Sequence, residues 1–216
     1  MAEEDVPDYW NDWKLDAEEF NRIIDKNSNA LSAIYGYIAE ERMREMCLED
    51  NPHVENIRTP EDQDEDDKGD WVFEYRGEPM RVEVKSLQSR TIPDLDDEET
   101  TLTEDDGEIE VRFHLKGSSD PRDVEYEGET YSTVLMNVED SDIDIMAVNL
   151  YRVKDEWNFA FIRVDDLPRS QGNYPEGLKQ KLSKSQPKFK IPLRDPYTDD
   201  LDELMDDILE EREVEA

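Results

Sequence analysis

The chain has 216 residues, enough for one domain with a proper core and short for two. Apolar residues are 35% and charged residues 39%, and 60 Asp and Glu stand against 25 Lys and Arg, a formal charge of −35. That balance leans toward disorder, but clusters such as Ile145-Met-Ala-Val-Asn-Leu-Tyr151 and Trp157-Asn-Phe-Ala-Phe-Ile162 are what a buried sheet needs, so a folded domain under an acidic coat is expected.

In chain order, Asp16 to Lys26 predicts a short helix, with Asp16 as cap and Glu19 completing a capping box. A longer helix follows from about Ser28 to Leu48, with Leu31, Ile34, Tyr35, Ile38, Met43 and Met46 at roughly helical spacing. The lone cysteine, Cys47, lies in that pattern; it excludes an internal disulfide, suits a reducing cytoplasm and is expected to be packed rather than reactive. Asn51 to Lys68, with Pro52, Pro60 and an acidic run, reads as strand edge and loop.

The period then changes to two. Trp71-Val-Phe-Glu-Tyr75, a glycine-containing turn of three to four residues at Arg76-Gly77-Glu78, and Met80-Arg-Val-Glu-Val-Lys85 predict a β-hairpin. Ile92 to Glu108 is acidic loop. Strands are expected at Ile109 to Leu115, Tyr131 to Asn137, Ile143 to Tyr151 and Phe159 to Val164, and Asp199 to Arg212 as a closing amphipathic helix. The class expected is mixed α+β, a central sheet with helices, as one domain over 1–216. Its parts are N-terminal helices (1–50), a sheet core (51–168) holding the hairpin 70–85 and the acidic loop 92–108, and a basic segment with the last helix (169–216). No apolar run reaches 18 residues, so no membrane span is expected. The first residues lack the basic and apolar stretches of a signal peptide, so the expected compartment is cytoplasmic.

The hairpin carries the chemistry. Asp70 stands at the mouth of its first strand, while Glu83 and Lys85, two apart on the second, leave the sheet on one face. A turn near Gly77 returns Asp70 beside Glu83, so two carboxylates and one ammonium converge. Carboxylates hold Mg²⁺, which takes few protein ligands plus waters, and the ion polarises a phosphate and acidifies a water. A lysine beside them orients the nucleophile and offsets charge building on phosphorus. The plainer reading is a surface ion-pair cluster.

Asp70, a gap, then Glu83-Val84-Lys85 on a hairpin resembles the signature of the PD-(D/E)XK, or restriction-endonuclease-like, nuclease superfamily. The proline that often precedes the Asp is replaced by Gly69. Many members place a glutamate on a helix before the hairpin, and Gly36-Tyr-Ile-Ala-Glu40 resembles that helix, with Glu40 the candidate and Glu41 its rival. The run from Asp142 to Tyr151, with Trp157 to Ile162 and Asp166-Leu-Pro168, resembles the family's closing strands, so the likeness covers roughly Ser28 to Pro168. It implies a restriction-endonuclease-like core and a metal-dependent DNA endonuclease. Asp70, Glu83, Lys85 and Glu40 would be catalytic, Asp70 and Glu83 would hold Mg²⁺ (Mn²⁺ as substitute), and Gln88 is an accessory candidate. The acidic composition in turn resembles proteins of salt-accumulating microbes, especially halophilic archaea; molar salt shortens the Debye length to about 3 Å and screens self-repulsion.

DNA is the expected partner. Gly177 to Arg194 contains no Asp or Glu, yet holds Lys179, Lys181, Lys184, Lys188, Lys190 and Arg194. A duplex needs cations to replace its counterions, so these lysines, with Arg112 and Lys116, are candidate DNA contacts; the alternative is a segment that neutralises the acidic coat from within. His114, Ser119, Asp120 and Arg122 lie near Arg112 and Lys116, with a solvated strand residue the plainer account of His114. Nothing predicts a phosphate loop or a zinc site. A homodimer is expected, and specificity is either low or supplied by a partner subunit. Restriction or defence is the expected role by family analogy alone. The alternatives are a repair or recombination nuclease of the same fold, or a non-catalytic acidic interaction protein such as a DNA mimic or scaffold subunit.

Overall fold

The computed structural model describes residues 12, 14–60, 69–87, 108–115 and 121–215. The described residues of 1–38 and of 39–216 form separate compact units.

In the first unit, α1 (Ala17–Asp25) begins where the Asp16 carboxylate accepts from the Glu19 amide at 2.7 Å. The reciprocal half of the expected box is missing, because the Glu19 side chain pairs with Arg22 instead. No residue of α1 is buried. The second helix, α2 (Ser28–Met43), passes into a π-helical turn at Arg44–Leu48.

That π turn corrects the expected apolar stripe. Leu31, Ile38 and Met46 are exposed, whereas Ala39, Met43 and Leu48 are buried. The step from 39 to 43 is one α turn, and the step from 43 to 48 is five residues. The wider π turn absorbs the extra residue and returns Leu48 to the face that Ala39 and Met43 present to the sheet.

A central mixed sheet follows, in the order β1-β2-β3-β7-β8. Its strands are β1 (Val54–Arg58), β2 (Trp71–Tyr75), β3 (Glu78–Ser86), β7 (Ile145–Asn149) and β8 (Phe159–Arg163). Pairing is antiparallel except between β3 and β7, which run parallel. All five residues of β7 are buried, as its apolar run requires of a strand covered on both faces. The β2–β3 turn is tighter than expected. Tyr75 pairs with Glu78, leaving only Arg76 and Gly77, both at positive φ (52 and 88), which fits the right-handed twist of the strands.

One face of the sheet carries Phe73, Tyr75, Met80, Val82, Val84, Ile145, Ala147 and Phe161. It packs with Ala39, Met43 and Leu48 and with the closing helix α5 (Leu201–Glu215), through Leu201, Leu204, Met205 and Ile208. Polar ties fix α5: the Tyr75 hydroxyl donates to Asp206 at 2.8 Å, and Arg212 reaches the Pro79 carbonyl at 3.0 Å and the Asp144 carboxylate. The other face carries Met146, Val148, Ala160 and Ile162. It is covered by β4 (Ile109–Arg112) paired with β9 (Lys188–Ile191), through Val111, Phe113 and Phe189, and by Leu150, Val153 and Leu167.

Several elements depart from expectation. The segment 51–60, read as strand edge and loop, contains the edge strand β1, irregular between Glu55 and Arg58 with Asn56 at φ 55. The strand expected over Tyr131 to Asn137 is shorter and earlier, β6 (Glu129–Thr133), and pairs with an unforeseen β5 (Arg122–Tyr126) across a Glu127-Gly128 turn. Tyr151 opens a short helix, α3 (Tyr151–Lys154), rather than ending a strand. The basic segment holds α4 (Glu176–Lys181) and β9. Among the described residues no helix is long and apolar enough to cross a membrane.

Candidate active site

Gly69 makes the site possible. Its φ is 98, and a Cβ there would lie 3.2 Å from the Val82 carbonyl oxygen. Proline, fixed near −65°, cannot take that conformation, so the missing proline of the family pattern follows from how the chain enters the hairpin. Directly after it, the Asp70 amide donates to the Val82 carbonyl at 2.9 Å, and one Asp70 carboxylate oxygen accepts from the Val84 amide at 2.6 Å. The register Trp71↔Val82, carried one residue further, sets Asp70 opposite Glu83.

On β3 the buried Met80, Val82 and Val84 alternate with Arg81, Glu83 and Lys85. Glu83 and Lys85 therefore share the opposite face and form an ion pair, with side chains only 21% and 26% exposed. Burial works against the Lys85 charge, yet the fields of Glu83, Asp70 and Glu40 together hold its ammonium above the usual lysine range. Burial, and then the charge of Glu83, push Asp70 up to about 7 against the pull of Lys85 and the Val84 amide. Glu40 is raised as well, first by burial and further by Glu83, with Lys85 opposing. The four groups thus act on one another: three carboxylates around one ammonium in a partly dry setting.

Glu41 is not Glu40's rival in position. It turns to Arg44 at 2.6 Å, and that bond holds its carboxyl below the ordinary value. The backbone at Glu40 is tied down by Trp71, the first residue of β2. The Trp71 indole N–H donates to the Glu40 carbonyl at 3.0 Å, while the Arg44 guanidinium lies 5.7 Å from the Trp71 ring centroid. A carbonyl oxygen has two lone pairs, so Glu40 can accept the indole N–H in addition to its bond within the helix. The residue next to Asp70 is thereby tied to the helix that carries Glu40. No sequence signal marked this, because an indole adjoining an acid at a strand start fits packing equally well.

The acceptors for a hard cation here are Asp70 and Glu83. Among the described residues no three His, Cys, Asp or Glu side chains are arranged to hold a metal ion. Mg²⁺ uses one or two carboxylates and completes its shell with water and substrate phosphate, so this donor pair fits it. A cation would also relieve the repulsion that raises Asp70.

Most of the remaining candidates that the structure describes engage other groups. Gln88, Lys116, Ser119 and Asp120 fall outside the described residues. Arg112, on β4, reaches Gln186 at 3.4 Å. Arg122 donates to the Leu135 carbonyl at 2.9 Å, His114 is exposed, and His53 meets the Tyr75 ring edge-on at 6.2 Å. In the basic segment Lys179 pairs with Glu176 (3.3 Å), Lys181 with Glu139 (2.5 Å) and Lys188 with Glu110 (2.5 Å). Lys190 and Arg194 both pair with Glu108. Cys47 is raised to about 11, first by burial and then by Asp202, which leaves it an unreactive thiol.

Comparison of the chain with protein-family models, with curated proteins and with solved structures gives no match.

Proposed function

We propose that this protein is a metal-dependent nuclease that hydrolyses phosphodiester bonds of DNA at Asp70, Glu83, Lys85 and Glu40. The observation that carries the reading is the partly buried ion pair of Glu83 and Lys85 set opposite Asp70, whose carboxyl is pushed up to about 7 by burial and the charge of Glu83. A purely structural salt bridge has no need of a further half-buried acid on either side, since each uncompensated buried charge costs stability. Asp70 and Glu83 would hold Mg²⁺, which when bound supplies Lewis-acid polarisation and a more acidic water. Asp70 is aimed by the Val84 amide and Glu83 by Lys85. Lys85, kept charged by its neighbours, orients the attacking oxygen and offsets charge that develops on the phosphoryl group. Glu40, anchored through Trp71, faces the same charges and serves as proton acceptor or as a further carboxylate for the cation. The reading rests on the restriction-endonuclease-like resemblance, with which a central mixed sheet flanked by helices agrees; that resemblance also supports a role in restriction or defence, and the acidic composition supports a halophilic source.

The five ion pairs of the basic segment favour a second reading. Cations already matched to glutamates are poor counterions for a duplex, as a non-catalytic acidic scaffold or DNA mimic would have it. Plasmid cleavage with Mg²⁺ in molar KCl separates the two. Wild type is expected to nick or linearise the plasmid, while Lys85→Ala and Asp70→Ala do not. No cutting by folded wild type would favour the scaffold.

A further inference from the structure

One cationic surface of this acidic protein is only partly matched by acids, and it lies on the segment that follows β8. Strand β8 runs antiparallel to β7, so the chain leaves it at Arg163, beside Ile145, at the end of the sheet away from Ser86 and Asn149. After a 3₁₀ turn (Val164–Asp166) it zips onto the segment that follows α4. The Lys184 amide donates to the Pro168 carbonyl at 2.7 Å, Arg169 bridges to Ser183, and the Ser170 amide donates to the Leu182 carbonyl at 2.8 Å. Between these two runs and α4 lies a cavity of about 440 Å³.

Its walls carry Arg169, Lys179 and Lys184, the buried Ser170, the exposed Gln180, whose amide donates to Glu176 at 3.4 Å, and Glu176 as the acid. Arg169 is held in place by the carbonyls of Leu167 and Asp165, both at 2.8 Å, bonds that fix the guanidinium without cancelling its charge. Lys184 makes no ion pair among the described residues. Glu176 pairs with Lys179, but its side chain is 78% exposed, so it sits at the rim where water screens it. The Ser170 oxygen accepts from the Gly172 amide at 3.1 Å, which leaves its O–H proton to donate. Arg169 and Lys184, neither in an ion pair among the described residues, with Lys179 shared with Glu176 and the Ser170 hydroxyl as neutral donor, form a setting for a tetrahedral oxyanion. Arginine offers forked donors for such a group and lysine a point charge.

We propose that this cavity, formed by Arg169, Ser170, Lys179 and Lys184, is a phosphate-binding subsite. On the nuclease reading its phosphate comes from the backbone of a nucleic acid held beyond the catalytic hairpin; the source, though not the subsite, rests on that reading. In a chain of −35 a duplex gains little from general attraction, so one locally uncompensated anchor has a large share in holding it.

The test reads binding and not cleavage, so a failure of the nuclease reading does not decide it. The full chain is compared with Arg169→Gln, Lys184→Gln and, as a charge control, Lys154→Gln on the exposed end of α3. Unfolding curves check that all four are folded. The probes are inorganic phosphate, followed by calorimetry, and a labelled DNA duplex, followed by anisotropy over a range of KCl. Expected for Arg169→Gln and Lys184→Gln is a loss of phosphate binding of about tenfold or more. Their duplex affinity should also fall, with the slope of log K against log salt shallower by about one; Lys154→Gln should resemble wild type. Phosphate binding lost with duplex binding unchanged would assign the subsite to a free phosphate compound. Folded Arg169→Gln and Lys184→Gln proteins that bind both probes as wild type does, or a Lys154→Gln protein weakened equally, would overturn the proposal.

Discussion

The hairpin and the basic segment use the same two kinds of charge to opposite effect. In the hairpin, Lys85 and Glu83 pair with about a quarter or less of each side chain exposed, and two more acids act on them. In the basic segment, Lys188 and Glu110 pair with 45% and 54% of their side chains exposed, and only cations, Lys190 and Arg112, add to the pull on Glu110. A buried pair cannot lose one member without leaving an uncompensated charge, whereas water takes over when an exposed pair is broken. Burial rather than the identity of the residues separates a constellation fit for chemistry from a neutralised surface.

Three perturbations test that contrast. The largest effect is expected for Lys85→Ala at pH 8, which strands Glu83, Asp70 and Glu40 together. Denaturant unfolding should show a loss of about 3 kcal/mol. A smaller loss is expected near pH 5, where Asp70 takes up a proton. A loss under about 1 kcal/mol at pH 8 would mean that water reaches the cluster freely.

Next is Asp70→Asn. The folded-state value of Asp70 near 7 lies above its ordinary 3.8, so the native state binds the proton more tightly. The stabilisation this gives is complete below about pH 4 and is lost as pH rises through 7. Replacing Asp70 by the neutral amide should therefore raise wild-type stability at pH 8, by on the order of 2 kcal/mol, and change it little at pH 4. Equal effects at both pH values would show that the charge of Asp70 is not what strains the fold. Together with the loss of cleavage expected for Asp70→Ala, a gain here would mark a site kept for activity at the expense of stability.

The smallest effect belongs to Lys188→Ala, which should shift stability by less than about 0.5 kcal/mol and less again in molar KCl. A loss comparable to that of Lys85→Ala would erase the distinction between the regions.

Much of the hairpin was legible from the sequence because its signals are local. Glu83 and Lys85 share a face by strand alternation, and Arg76-Gly77 marks the turn, although pairing of Tyr75 with Glu78 shortens it to two residues. Glu40 feels the charges of Glu83 and Lys85, but its anchor does not follow from spacing, because Trp71 lies 31 residues away. The strands β5 and β9 escaped notice for a common reason: each is a paired ribbon strand with at most one buried residue, so neither carries a long apolar run. The sequence left open whether the basic segment meets DNA or the chain's own acids, because most of its partners are distant, Glu110 being 78 residues from Lys188 and Glu139 being 42 from Lys181.

The sequence by itself determined the acidic coat, the Asp16 cap, the alternation that places Glu83 beside Lys85, and the buried β7 and β8. Each depends on a residue's own conformational preference or on neighbours within a turn or two. Tertiary structure decided which face of α2 is buried, with a π turn bringing Leu48 into line, and which lysines meet glutamates. It also decided that Arg169 and Lys184 face one cavity. Those outcomes depend on segments far apart in the chain, where the burial of apolar surface sets the arrangement and charges pair with whatever it brings near.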